Sequence, residues 1–453
     1  MDQPTSSPAS PASTPASTPA SAPAPTAAST PAAALHRRTL LRAPAVVAGG
    51  AAAATLVGTA SPAEAAAGDR LVMYRNWEGP RLLRQGALDR VVIDSAGRLA
   101  LAASPRLTTT LNGRAYVGGA WHSPWITESF GFTELVPSWK AETPGDSFVL
   151  VEVRGRDASG RLSSWDTLAR WATGDSKVRR TSFTSQSDDM ASMAVDTWRA
   201  NSATGLRGFQ LRVSLYRLRG ATTASPTVTA IGAMTSRLPS TWRASAPLGI
   251  ARTLPVPQFS QMIHSGHYPS YGNGGEAWCS PTSVSMVLHY YRALPSSSAY
   301  SWVPAGHTDP WVDHAARMVY DAEYRGCGNW PFNTAYANQR VASAFVTRLR
   351  SLREAEEFIA YGIPLVASIS FARGELDGSP IGATNGHLLV IAGFTPEGDV
   401  VVNDPAAPRN SSVRRVYQRA QFERAWLPRS GGLVYVIRDA ATQLPPRGTR
   451  RNW

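Results

Sequence analysis

Cys279 stands in the run Glu276-Ala277-Trp278-Cys279-Ser280-Pro281-Thr282-Ser283, directly ahead of an apolar stripe, Val284, Val287, Leu288 and Tyr291, at helical spacing. Pro281 fits the first turn of a helix, where its missing N–H costs nothing. The spacing therefore predicts a thiol at or just before a helix N-terminus, where unpaired N–H groups and the helix dipole favour a thiolate. Far downstream stand Asn385-Gly386-His387, followed by an apolar run, and Asn403-Asp404-Pro405. A cysteine at a helix start, with a later histidine and carboxylate on strands, is the layout of a cysteine acyl-transfer enzyme. The thiolate attacks, an imidazole titrating near neutrality carries the proton, and the carboxylate orients the ring.

The two runs between His387 and Asp404 predict a hairpin, His387–Phe394 and Val400–Asn403, joined through Thr395-Pro396-Glu397-Gly398. With Pro396 and Glu397 as the central turn residues, Asp404 pairs opposite Leu389 and lies diagonal to His387. Diagonal neighbours in a sheet are about 7–8 Å apart, within reach of an imidazole–carboxylate hydrogen bond. Asn403 is a rival orienter, but it points to the other face of the sheet unless the register slips by one. The remaining histidines read blandly. His264 and His267 have no carboxylate or cysteine at ligand spacing and read as loop groups. His307, Asp309, Asp313 and His314 form a second loose set, with Asp313 and His314 as ordinary residues of a helix start. No metal site and no cofactor is expected.

These residues need elements to hold them. At 453 residues the chain has room for two globular domains once its non-globular part is removed. Residues 4–34 are almost wholly Pro, Ala, Ser and Thr and cannot bury enough apolar surface to repay ordering. Arg37-Arg38 with Leu40-Leu41 then opens an alanine-rich stretch that resembles a twin-arginine export signal, with small-residue cleavage sites near Ala63–Ala67. Residues 1–67 are thus expected to be a low-complexity lead-in and signal peptide. A single anchor is the competing reading, but Pro44, Gly49, Gly50 and Gly58 break the segment. No later stretch approaches a spanning length, so a secreted or envelope-associated protein is expected.

Net charge is +13; residues 1–67 hold Arg37, Arg38 and Arg42 against Asp2 and Glu64, one net positive charge, which leaves +12. The basic residues are nearly all arginine, with Lys140 and Lys177 the exceptions, and they are scattered, which argues against nucleic-acid binding. The two cysteines, Cys279 and Cys327, are too few for a disulfide scaffold, although a single bridge is the bland reading in an exported protein.

Residues 70–238 read as an all-β, sandwich-like module. Phe209–Tyr216 and Ser147–Arg154 show strand patterning, and Asn112-Gly113, Pro144-Gly145 and Ser159-Gly160 mark turns. Its tryptophans, at 121, 125, 139, 165, 171 and 198, either fill a core or offer a sugar-stacking face, and the core is favoured. A Ser-, Arg- and Pro-rich linker, 239–253, leads to a second domain at 254–438, with a tail at 439–453. In that domain the pattern predicts helices after Cys279, at Trp311–Tyr320, and from the capping box Ser351-Leu352-Arg353-Glu354 to Gly362, then strands at Leu365–Ile369, in the hairpin, and at Leu433–Ile437. Helices mostly first, antiparallel sheet after: the class is α+β.

The second domain resembles the bacteriocin-processing (double-glycine) peptidase-like family, peptidase family C39-like, of the papain-like cysteine peptidase superfamily. The matching pieces are Val256-Pro257-Gln258-Phe259-Ser260-Gln261, Trp278-Cys279-Ser280-Pro281-Thr282-Ser283, Asn385-Gly386-His387-Leu388-Leu389-Val390 and Asn403-Asp404-Pro405. The resemblance implies Cys279 as nucleophile, His387 as base and later acid, Asp404 as orienting carboxylate, and Gln261 as oxyanion donor beside the Cys279 backbone N–H. Ser280 stands where the family usually has Gly. Gln261 and Cys279 lie 18 positions apart, with Tyr268–Gly275 as an inserted loop, which makes Gln258 a substitute candidate. The chain lacks a G-x-x-x-x-G-K-[ST] loop and spanning helices after the signal, so trimming leaders at an exporter is not expected.

The expectation is an exported cysteine peptidase or amide hydrolase acting on a peptide or protein. The alternatives are a catalytically silent envelope or glycan-binding protein that binds cell-wall polymer through its β-module, and a cysteine acyltransferase or cell-wall amidase using the same triad.

Overall fold

A computed structural model describes residues 69–187 and 189–453; the signal-like segment 1–67 lies outside the described residues. The N-terminal module is two antiparallel sheets. One has seven strands and the other eight, the latter centred on the 13-residue strand Leu206–Leu218, which takes in Phe209–Tyr216. Aromatic rings fill the space between the sheets: Trp77 meets Trp121 at 5.6 Å, Phe132 meets Trp198 at 6.4 Å and Trp139 meets Trp171 at 6.1 Å. Trp121, Trp139, Trp171 and Trp198 are fully buried, so four of the six tryptophans are core, each contributing a large apolar area. Trp125 and Trp165 differ. They are half-buried on the outer face, where Arg154, Arg156 and Arg212 lie over their rings at 4.4–5.2 Å.

The second domain is α+β. Its antiparallel sheet runs Ser343–Arg348, Leu433–Arg438, Leu365–Phe371, Thr384–Phe394, Val400–Asn403, Arg414–Tyr417, with Arg252–Thr253 pairing beside Thr384–Phe394. Helix Cys279–Tyr290 packs on this sheet and on helices Pro310–Val319 and Trp330–Ala337. It is buried from Ser280 to Leu288, on more than its apolar stripe, because neighbours cover it on every side. Two of its buried hydroxyls find partners: Ser280 Oγ meets Tyr435 Oη at 3.0 Å and Ser283 Oγ donates to Leu388 O at 3.1 Å.

The predicted capping box does not form. Ser351 is the N-cap of helix Leu352–Ala360, yet its side chain caps nothing. Glu354 instead accepts from Arg350 N at 2.9 Å, and the open Leu352 N–H is taken by Glu423 at 2.8 Å, from helix Arg419–Trp426. A distant carboxylate supplies the cap that the local serine was expected to give.

The two domains share a bonded interface. Lys140 donates to Val341 O and Ala342 O at 2.9 Å each, Asn338 donates to Trp139 O at 2.9 Å, and Phe332 sits against Trp139 and Trp171. The stretch 239–253 is also tied down, with Ser245 N donating to Glu423 at 2.6 Å. The C-terminal residues pack as well: Asn452 is buried against Arg348 O and Glu354, and Trp453 against Phe358. Among the described residues no helix is long and apolar enough to cross a membrane.

Candidate active site

Cys279 is the first residue of its helix, with Trp278 as N-cap. Trp278 is fully buried, and its indole N–H donates to Tyr271 O at 2.6 Å, which fixes the chain just before the thiol. Cys279 is partly exposed at the floor of a cleft of about 1120 Å³ that Gln261, Gly386 and His387 also line.

The histidine strand and the carboxylate strand pair in the expected register at the site. Val390 faces Asn403, which places Asp404 next to Leu389, just beyond the paired residues. The turn reaches that register by an unexpected route. Gly398 N bonds Thr395 O and Thr395 N bonds Asp399 O, with Gly398 at φ +88°, a conformation glycine adopts freely. That extra residue shifts the pairing to Phe394–Val400, and a bulge between Ile391 and Gly393 shifts it back.

His387 Nε2 lies 2.8 Å from Asp404 Oδ1, and both side chains are buried. Asp404 is fully enclosed, and its oxygens are held by more than the ring. Tyr417 Oη donates to Oδ2 at 2.6 Å, and Ala406 N donates to Oδ1 at 3.0 Å. Burial raises the Asp404 carboxyl, but the His387 charge and these donors outweigh it and hold the group below the usual carboxylate range. At His387 burial favours the neutral ring; Asp404 and a hydrogen bond with Cys279 prevail and push the imidazole up to about 10. With Nε2 on Asp404, Nδ1 is the ring nitrogen left for the thiol.

Gln261 is buried beside this pair. Its backbone N donates to Pro405 O at 2.8 Å, tying it to the residue after Asp404, and its side-chain Nε2 donates to Glu276 O, three residues before the thiol. An amide nitrogen carries two protons, and this bond uses one of them. Gln258 is engaged elsewhere: its Oε1 accepts from Arg414 N at 2.9 Å, and it does not line the cleft. Asn403 points away from His387, donating to Pro257 O at 2.8 Å and accepting from Arg414 Nε at 2.5 Å. Cys327 also lines the cleft, but it is a buried free thiol that burial pushes far above its ordinary value, with its Sγ 3.4 Å from Ala316 O.

Two features were not legible in the sequence. The turn between strands Ala191–Ala194 and Thr197–Ala200 of the β-module forms part of the cleft wall through Val195 and Asp196, joined by Arg199 of the second strand. Val195 is a β-branched residue at φ +55°, and burial pushes the Asp196 carboxyl up to about 7. The second feature is the union of the two loose histidine sets. His264 Nδ1 lies 3.0 Å from Asp313 Oδ2 and His267 Nδ1 lies 2.8 Å from Asp313 Oδ1, so the carboxylate missing from the local sequence arrives from helix Pro310–Val319. His314 belongs to neither group. It is a core histidine 3.1 Å from Tyr336 Oη, and burial pushes it down to about 4.

Comparison with known families accounts for both domains. Residues 73–236 match the peptidase C39 N-terminal domain, and residues 253–434 match the Peptidase_C39 like family. A search of curated proteins finds no match to the chain. A cysteine at a helix start facing a buried histidine–aspartate pair, behind a β-module of the matching kind, makes the chain a member of the peptidase C39-like family of papain-like cysteine peptidases.

Proposed function

We propose that the protein hydrolyses a peptide or amide bond through an acyl-thioester at Cys279. The observation that carries the reading is the 2.8 Å His387–Asp404 pair, whose histidine lines the same cleft as Cys279. In the resting site a thiolate–imidazolium pair forms, the proton resting on His387. The Cys279 sulfur attacks the carbonyl carbon, and the oxygen takes negative charge. Gln261 Nε2 and the Cys279 N–H donate to that oxygen. His387 gives its proton to the leaving amine, leaving a thioester; it then takes a proton from water, whose oxygen attacks and releases the acid and the thiolate, restoring the resting pair. Asp404 holds the ring's orientation and stabilises its charge throughout.

Export is part of the proposal and rests on the Arg37-Arg38 segment ahead of an alanine-rich stretch. The β-module is proposed to shape the substrate cleft through its Val195–Asp196 turn, and its arginine-backed Trp125 and Trp165 favour a supplementary role in holding wall polymer. Release of the acyl group to an amine rather than to water would make the same site an acyltransferase. Incubation with a panel of peptide amides, read by mass spectrometry of products and of the enzyme, tests the reading. Cleavage with a trappable acyl adduct on Cys279 is expected. Activity that persists in Cys279→Ala, or an adduct elsewhere, overturns it.

A further inference from the structure

Outside the cleft, the most unusual group of side chains surrounds Asp313. Its carboxylate is fully buried, and one oxygen faces His264 Nδ1 at 3.0 Å while the other faces His267 Nδ1 at 2.8 Å. His307 Nδ1 stands 3.9 Å from the same Oδ1, buried and with no hydrogen-bond partner among the described residues. The His267 and His307 rings stack with centroids 3.9 Å apart, and His264 Nε2 is also buried without a partner. Three imidazoles thus converge on one enclosed carboxylate.

The charge balance of this cluster is the argument. A buried carboxylate needs a compensating cation. Among the described residues no arginine or lysine is within ion-pair distance of Asp313; Arg317, four positions on, is held by Asp175 at 2.8 Å. One divalent ion held between the converging side chains supplies the compensating charge. The donors of His264, His267 and Asp313 already lie within 4.8 Å of one another, and ligand atoms around tetrahedral zinc, each about 2.0–2.2 Å from the metal, are separated by only slightly more than an ordinary hydrogen bond.

We propose that His264, His267 and Asp313 form a zinc site, with the fourth position open to a solvent molecule. Both hydrogen-bonded rings would bind through Nδ1, which leaves the ring proton of each on Nε2. The site has a structural place. His264 closes the short helix Met262–His264 directly after Gln261, and the His264 carbonyl lies where a Cβ on Gly275 would come within 2.1 Å. The ion therefore clamps the loop that presents Gln261 onto helix Pro310–Val319. The proposal is independent of the activity assigned to Cys279.

The test is zinc content, by elemental analysis, of the folded full chain after dialysis against zinc chloride and then buffer. Wild type, Cys279→Ala, His267→Ala and Asp313→Asn are compared, with thermal melts of each. About one zinc per chain is expected in wild type and Cys279→Ala, falling at least about tenfold in the other two, with a zinc-dependent rise in Tm that His267→Ala lacks. His267 is partly exposed, so its variant decides the matter even where Asp313→Asn misfolds. Folded wild type with no zinc, or zinc that is lost in Cys279→Ala and kept in His267→Ala, overturns the proposal; the second result would place the metal at the cleft thiol.

Discussion

Two histidine–carboxylate constellations sit in one domain, built from the same residue types at nearly the same distances, and their surroundings set them apart. His387 and Asp404 are joined at 2.8 Å, and the second Asp404 oxygen is closed off by Tyr417, so a single ring is oriented and its other nitrogen faces a nucleophile on a cleft. Asp313 spends its two oxygens on two different rings, with a third ring stacked behind, and among the described residues no thiol or hydroxyl is hydrogen-bonded to those rings. One carboxylate aims one imidazole at a reacting atom, whereas the other gathers donors around a point. A histidine–aspartate contact therefore says little about chemistry until the remaining lone pairs are traced.

The sharpest way to separate the two is to neutralise each carboxylate in turn. Asp404→Asn should cut the turnover number by about 10³- to 10⁴-fold through loss of ring orientation and of the imidazolium's partner. Asp313→Asn acts only through the loop carrying Gln261 and should cost less than about tenfold; steady-state kinetics on a cleaved peptide amide, with both variants checked for folding, read the contrast. A comparable loss in both would erase the distinction. Next in size, Gln261→Ala should lower kcat by about 10²- to 10³-fold with little change in KM, because an oxyanion donor acts in the transition state. Gln258→Ala should leave the rate near wild type, since that side chain holds Arg414 N.

The pH dependence of stability separates the constellations without any substrate. His387 is raised to about 10, so its contribution is fully present below its unfolded value of about 6.5 and is lost as pH rises through about 10. Asp404 is lowered, so its contribution is present above about 3.9 and is lost as pH falls through its folded value. These are two ends of one ion pair and are not to be added. Denaturant unfolding of wild type and His387→Ala across pH 4–10 should show a stability difference that shrinks above about pH 7. A difference that grows with pH contradicts the pairing. The smallest effect concerns the β-module. Val195→Gly, which removes a side chain from the cleft wall, should raise KM about three- to tenfold with kcat nearly unchanged; an unchanged KM would mean the wall does not meet substrate.

The contrast in legibility follows the same division. His387 and Asp404 are 17 residues apart on one hairpin, and strand periodicity alone brings them together. Even there the sequence hid two irregularities, Gly398 in the turn and the bulge before Gly393, which cancel. His264 and His267 reach Asp313 across 49 and 46 residues, through helix packing that no local pattern encodes. Helix Trp330–Ala337 was missed because it is eight residues long and buried throughout all but its first, so it lacks the polar face that reveals amphipathic periodicity. The Val195–Asp196 turn reads as an ordinary hairpin until the second domain is docked beside it. The Cys279 helix start was readable because Pro281 and the stripe behind it are local signals.

The central claim is that His387 holds Cys279 as a thiolate, and the alkylation rate of Cys279 by iodoacetamide at pH 6 tests it most directly. Modified peptides are mapped by mass spectrometry in wild type and His387→Ala, with buried Cys327 as the internal reference. The account predicts rapid labelling at Cys279 alone, slowed about 10- to 100-fold in His387→Ala, where no imidazole remains to take the thiol proton. Labelling at the same slow rate in both proteins, or preferential labelling of Cys327, would contradict it.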